Sequence, residues 1–248
     1  MSRPIRNRSC NAFSCRSIGS QNPTRSGSLA FVLLGVGDRQ FVVETMIAVI
    51  DYKAGNLTSV VKALRFLDAR DVVVTQSPEY VLRADKIVLP GVGHFQSTQL
   101  LKDLGLTDAV REAVAKGTPF LGICVGLQWL YEGSTEAPET DGLCAFTSQC
   151  ERFPAIYEGA ELKSPHVGWN SLEKIRPDSR LLRGVAEGAF VYFTHSWRAP
   201  VSEDTAAVTN YGGAFTAAVE RGNVMGVQFH PEKSADVGLR VLRNFVEL

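Results

Sequence analysis

An α/β fold built on a mostly parallel, open sheet flanked by helices is predicted by three features of this 248-residue chain. From Met46 onward, apolar strand-like runs alternate with stretches of helical periodicity. Beyond about residue 140 the pattern changes to short alternating strands, which are expected to add antiparallel pairs at the sheet edge. Two of the apolar runs end on chemically active residues, as the carboxyl ends of strands in open α/β sheets commonly do.

The first strand is the apolar run 46–51, after which Leu57, Val60, Val61, Leu64 and Leu67 recur at helical spacing. Strands follow at 71–75 and 86–89, with a short helix between them beginning near Pro78. An amphipathic helix over about 97–116, broken at Gly117, leads to the buried run 119–123. This βαβα rhythm implies a parallel sheet wrapped by helices. Later strands are expected at 190–197, 214–220 and 223–229. The last helix, 235–246, places Val237, Leu239, Val241, Leu242 and Phe245 mostly on one buried side. No repeat or low-complexity linker divides residues 46–248, which read as one domain.

Residues 1–45 are different in kind. They are rich in Arg, Ser and Asn and hold six arginines against Asp38 and Glu44, inside a chain whose formal net charge is zero. A dispensable extension, or a start codon assigned too early, is the expected explanation, although the composition also fits an organelle transit peptide. The apolar run 29–36 is too short to span a bilayer, which takes about 20 residues. No basic stripe in the body suggests nucleic acid, and no membrane partner is expected. The five cysteines, Cys10, Cys15, Cys124, Cys144 and Cys150, are odd in number and form no C-x-x-C spacing. A reducing, cytoplasmic setting is expected, with no disulfide framework, metal or cofactor.

The chemistry lies in two separated halves. Gly122-Ile123-Cys124-Val125-Gly126 follows a buried strand and runs into a helical pattern, the layout of a nucleophile elbow with Cys in place of Ser. Its glycines leave room for a tight strand-to-helix turn, and amide groups at the helix start favour a thiolate. Far along the chain, an apolar run ends at His230-Pro231-Glu232. Pro231 keeps His230 extended, so His230 and Glu232 point to the same side and the carboxylate can orient the imidazole. Either half alone has a plain reading, a buried cysteine or a strand-end histidine beside a solvated acid. Together they supply a nucleophile, a base and its orienter. A third segment, Pro90-Gly91-Val92-Gly93-His94, reads on its own as a simple Pro-Gly turn; lacking a third glycine, it is no dinucleotide fingerprint.

These residues resemble a known family. Gly122 to Gln128 and Val227 to Ser234 look like the signatures of class I glutamine amidotransferases of the triad type. Within that family, three segments resemble the glutaminase subunits of imidazole glycerol phosphate synthases: 46–52 followed by Gly55-Asn56-Leu57, Pro165-His166-Val167-Gly168-Trp169-Asn170, and Tyr192-Phe193-Thr194-His195-Ser196. The Pro-His-x-Gly-Trp-Asn stretch discriminates best, because sister amidotransferases lack it; Val167 stands where methionine is usual. The likeness covers residues 46–248.

The resemblance implies hydrolysis of glutamine by Cys124, His230 and Glu232, with the amides of Val92 and Val125 receiving the oxyanion. It implies glutamine contacts at Gly93, Gln128 and the backbone around His195 and Ser196. It implies docking, as a heterodimer, on a (β/α)8 barrel cyclase that uses the ammonia in histidine biosynthesis. Asn56, Pro165, Trp169, Tyr192 and Lys233 match positions facing or gating that partner, with Trp169 expected on a loop. Three alternatives stay open: a sister glutaminase, a non-catalytic regulatory subunit, and a free-standing cysteine hydrolase.

Overall fold

The computed structural model describes residues 45–248. All of the expected N-terminal extension except Thr45 lies outside the described residues, as do Cys10 and Cys15. The chain begins with β1 (Met46–Ile50), α1 (Leu57–Phe66), β2 (Asp71–Thr75), α2 (Pro78–Arg83) and β3 (Lys86–Gly91). After a 3-10 turn come α3 (Gln99–Asp103), α4 (Leu106–Ala115), β4 (Phe120–Cys124) and α5 (Val125–Trp129). Short strands β5 (Gly133–Ser134), β6 (Gln149–Arg152), β7 (Ile156–Tyr157) and β8 (Ala160–Glu161) follow. The remainder is β9 (His166–Ser171), β10 (Phe190–His195), β11 (Trp197–Arg198), β12 (Thr205–Asn210), β13 (Ala214–Arg221), β14 (Val224–Val227) and α6 (Ala235–Val246).

Seven strands form the main sheet in the order β12-β13-β14-β4-β3-β1-β2. The run from β14 to β2 is parallel, and β12 and β13 extend it antiparallel at one edge. Burial follows position. β3 and β4 are buried at every residue, as strands covered on both faces must be, whereas edge strand β2 exposes Val74. Helix α1 turns Val60, Val61 and Leu64 inward, and α6 does the same with Val241, Leu242 and Phe245. Each such fully buried side chain stabilises the fold by about 1.5–3 kcal/mol.

Three expectations are corrected. The single helix over 97–116 is a 3-10 turn and two helices, because Gly105 sits between them at φ 71, a left-handed conformation that ends one helix before the next begins. The strand at 190–197 is interrupted at Ser196 and joins no edge of the main sheet. Its first part pairs with β9 in a two-stranded sheet, and its second part, β11, pairs with β6. Period-2 burial reveals a strand but not its partner. Trp169 is in β9 rather than on a loop.

The turn after β14 is clamped from both sides. The buried Ser234 hydroxyl donates to His230 C=O at 2.7 Å and accepts from the Tyr192 amide at 2.9 Å. Helix α6 then presses Gly238 against the Pro231 carbonyl, where no Cβ fits. An open helical position would gain roughly 1 kcal/mol from Gly→Ala. Here Gly238→Ala is expected to destabilise by about 1–3 kcal/mol in urea unfolding, through steric conflict behind the His230 turn.

Candidate active site

The site is built at the carboxyl ends of three adjacent strands, β14, β4 and β3. At the end of β4, Cys124 adopts φ 54 and ψ −107 immediately before α5. A non-glycine residue held there costs on the order of 1–3 kcal/mol and needs surrounding structure to enforce it. The enforcement is steric. A Cβ on Gly122 would meet the Gly126 backbone, and one on Gly126 would meet the Leu89 carbonyl, so α5 lies against β3 and β4 at a distance only glycine permits. Val125 opens α5, and its amide is among the first-turn groups without an intrahelical partner.

Around the thiol, Gln228 Nε2 donates to Cys124 Sγ at 3.6 Å, and the thiol is directed at Thr194 C=O at 3.9 Å. His230 follows β14, its amide fixed to Tyr192 C=O at 2.9 Å. Its imidazole and the Glu232 carboxylate are both 1% exposed, with Nδ1 and Oε1 3.0 Å apart. Nδ1 therefore carries the proton donated to Glu232, which leaves Nε2 for Cys124. Nε2 makes no hydrogen bond of good geometry here, a looseness common before substrate binds. Burial pushes the His230 imidazole down, but hydrogen bonding with Cys124 and Glu232 and their charges outweigh it and raise the group to about 9.

A pocket of about 260 Å³ opens over the thiol, lined by Val92, Gly93, Cys124, Val125, Gln128, Glu136, Pro165 and residues 194–197. Gly93, Gln128, His195 and Ser196 thus lie where a bound small molecule would touch them. Gln128 is otherwise engaged: its Nε2 donates to Trp197 C=O at 2.9 Å and to Gln228 Oε1 at 3.2 Å. Val92 lines the pocket, but its amide donates to Ala54 C=O at 3.4 Å. In this conformation that amide is not directed at the pocket.

Three of the remaining candidates stand together. Trp169, 52% exposed, meets Tyr192 edge-on at 6.1 Å, and Lys233 Nζ stands 5.8 Å from the Tyr192 ring centre. Pro165 is at the pocket mouth and also lines the neighbouring groove. Asn56 immediately precedes α1, two residues beyond Ala54, the residue that holds the Val92 amide.

Three functional side chains escape sequence reasoning. Glu136 places a carboxylate in the pocket, tethered by the Phe95 amide at 2.8 Å; lying in a loop, it left no signal. Gln228 did leave one, as the polar residue inside an apolar strand-like run. Ser234 left none that separates a clamp from a helix cap. Among the described residues no cluster of three or more His, Cys, Asp or Glu could hold a metal, and no helix is long and apolar enough to cross a membrane.

Comparison with known proteins adds the following. Residues 48–248 match the family described as glutamine amidotransferase class-I. The chain is 44% identical over 210 residues to imidazole glycerol phosphate synthase subunit HisH 1 of Methanococcus maripaludis, covering 82% of this chain and 100% of that protein. It is 46% identical over 204 residues to subunit HisH of Methanothermobacter thermautotrophicus, covering 82% and 98% respectively. In three dimensions it resembles a crystal structure of a glutamine amidotransferase with a TM-score of 0.63 at 21% identity, over 82% of this chain and 97% of that one. It also resembles the glutaminase domain of Trypanosoma brucei CTPS, with a TM-score of 0.57 at 16% identity, over 82% and 94%.

The raised His230 group has a testable consequence. Its folded value, about 9, lies above the ordinary 6.5, so its contribution to stability is fully present below about pH 6.5 and lost as pH rises through about 9. Glu232→Gln removes part of that contribution. The unmodified chain is expected to exceed this variant by about 1–3 kcal/mol at pH 6, with the gap narrowing by pH 9.5, as read by urea denaturation at each pH.

Proposed function

The chain belongs to the class-I glutamine amidotransferase family, and from that premise we propose that it is the glutaminase subunit of an imidazole glycerol phosphate synthase. The observation that carries this reading is the conjunction of a strained Cys124 and a carboxylate-bound His230 under a pocket of amino-acid size. The relatives named above as HisH subunits support the choice of synthase, as does the Pro165–Asn170 stretch.

In the reaction, the Cys124 thiolate attacks the side-chain carboxamide carbon of glutamine. A tetrahedral oxyanion forms, and the His230 imidazolium gives its Nε2 proton to the departing ammonia. Water, deprotonated by His230, then attacks the thioester and releases glutamate. Glu232 holds the tautomer and offsets the imidazolium charge. Glu136, a carboxylate at the pocket wall, suits the α-ammonium group of the substrate.

The oxyanion needs donors. The Val125 amide supplies one, and the Val92 amide supplies a second only when its peptide turns away from Ala54. The 3.4 Å bond holding it is long and therefore weak. This favours an enzyme gated by a partner over a free-standing hydrolase, because a lost oxyanion donor costs about 10²–10³ in rate. The partner is a (β/α)8 barrel cyclase, and ammonia, which bulk water would protonate, passes to it along a shielded path. Trp169, Tyr192 and Lys233, with Val167 beside them, supply the docking face, where the exposed Trp169 acts as the anchor. A cytoplasmic location follows from this biosynthetic role.

The test is glutamine hydrolysis by the full chain, alone and mixed with a barrel cyclase plus its ribonucleotide substrate. Strong activity only in the mixture, abolished by Cys124→Ala, is expected. Equal activity without the partner would establish a free-standing hydrolase instead. Trp169→Ala is expected to weaken assembly by roughly 30-fold, measured by calorimetry, while the melting temperature of the isolated chain stays nearly unchanged.

A further inference from the structure

The strand β9 has two unlike faces. Val167 and Trp169 point outward and are 57% and 52% exposed, while His166, between them and the core, is buried. His166 is stacked between Phe193, at 4.9 Å, and Tyr211, at 4.0 Å. Burying two imidazoles, His166 and His195, without a charge partner demands that both be neutral and fully bonded.

From Asn170 to the Trp197 carbonyl the bonds run in one direction. Trp197 C=O can only accept, so His195 Nδ1, 2.8 Å from it, carries the proton. His195 Nε2 is then an acceptor, and His166 Nδ1 donates to it at 3.3 Å. His166 Nε2 is an acceptor in turn, bonded by the Asn170 amide at 3.3 Å, whose second proton goes to Asn210 C=O at 3.1 Å. Asn170 Oδ1 is occupied by the Ser171 amide at 2.8 Å, which fixes the orientation of the carboxamide. At the other end, Trp197 C=O accepts a second bond from Gln128, which also donates to Gln228, which donates to Cys124 Sγ. Burial holds both imidazoles in the neutral form, His166 near 4 and His195 near 3.

We propose that Asn170, His166 and His195 are positioning residues. They form one arm of a hydrogen-bond network that converges on the Trp197 carbonyl, whose other arm runs from Gln128 through Gln228 to the Cys124 sulfur, so that a partner seated on the outer face adjusts the nucleophile. Each member has one bonding pattern that satisfies all its atoms, and reversing any one breaks its neighbours. The Gln228 amide at the end both stabilises a thiolate and fixes its place, and small displacements of a nucleophile carry large rate penalties. The coupling rests on the docking reading given above, whereas the wiring does not.

Two measurements on the full chain test this. Nitrogen-15 NMR is expected to find both His166 and His195 protonated at Nδ1; an Nε2–H tautomer at either ring overturns the network. In the second, a barrel cyclase is titrated into Asn170→Asp and His166→Leu, each of which removes a donor. Both are expected to bind within about threefold of the unmodified chain yet lose roughly tenfold in partner-stimulated kcat, with KM for glutamine little changed. His166→Asn, which restores an amide donor at the Nδ1 position, is expected to recover most of the loss. Unmodified stimulation in Asn170→Asp and His166→Leu overturns the coupling. Failure of the unmodified chain to bind any barrel cyclase overturns the docking reading and the coupling with it, and the tautomers then judge the wiring alone.

Discussion

The close approach of α5 to β3 and β4 is the constraint on which the site depends. With no Cβ at Gly122 or Gly126, the helix settles onto the Leu89 carbonyl and its own preceding strand, and Cys124 is forced into φ 54 between them. Strain of that kind persists only where packing over-determines it. Here the two neighbouring strands are buried at every residue, and Phe120, Leu121 and Ile123 lock β4 between β3 and β14. The rigid centre of the sheet thus holds the most strained residue of the site, and the thiol is displayed above it.

The other layers divide the remaining work. β14 delivers His230, and the Ser234 clamp ties its turn to β10, so imidazole and carboxylate arrive pre-oriented in a dry environment. The smaller sheets form a wall: β10 and β11 carry residues 194–197 across the carboxyl ends of the main strands and close the pocket over Cys124. In contrast, the Val92 peptide is held by one long bond to Ala54 and is the part of the site least committed to its present geometry. On the reading proposed above, a rigid nucleophile beside an oxyanion donor that must turn is the arrangement expected of chemistry that waits for a partner.

Much of this was legible in the sequence, for reasons that can be named. β1, β3 and β4 declare themselves as apolar runs because strands covered on both faces need no polar residues. Cys124 is separated from the His230 and Glu232 pair by over a hundred residues, yet each half follows such a run, and strand ends converge in a parallel sheet. What could not be read depends on partners distant in sequence. The break at Gly105 looks like any helical glycine until its φ is known. The pairing of β10 with β9 rather than with the main sheet cannot be seen from β10 itself, since it depends on β12 already flanking β13 at that edge. Glu136 reaches the pocket from a loop without periodicity, and the direction of the Val92 amide is a single peptide rotation that no pattern encodes.

The central claim, that the strained thiol of Cys124 is the group that attacks a glutamine carbonyl, is tested most directly by covalent trapping. The full chain, with barrel cyclase present, is treated with an electrophilic glutamine analogue such as a diazoketone and mapped by peptide mass spectrometry. One adduct on Cys124, slowed by excess glutamine and absent from Cys144 and Cys150, is the result the geometry requires. Adducts spread over several cysteines, or labelling of Cys124 that glutamine does not slow, would contradict it.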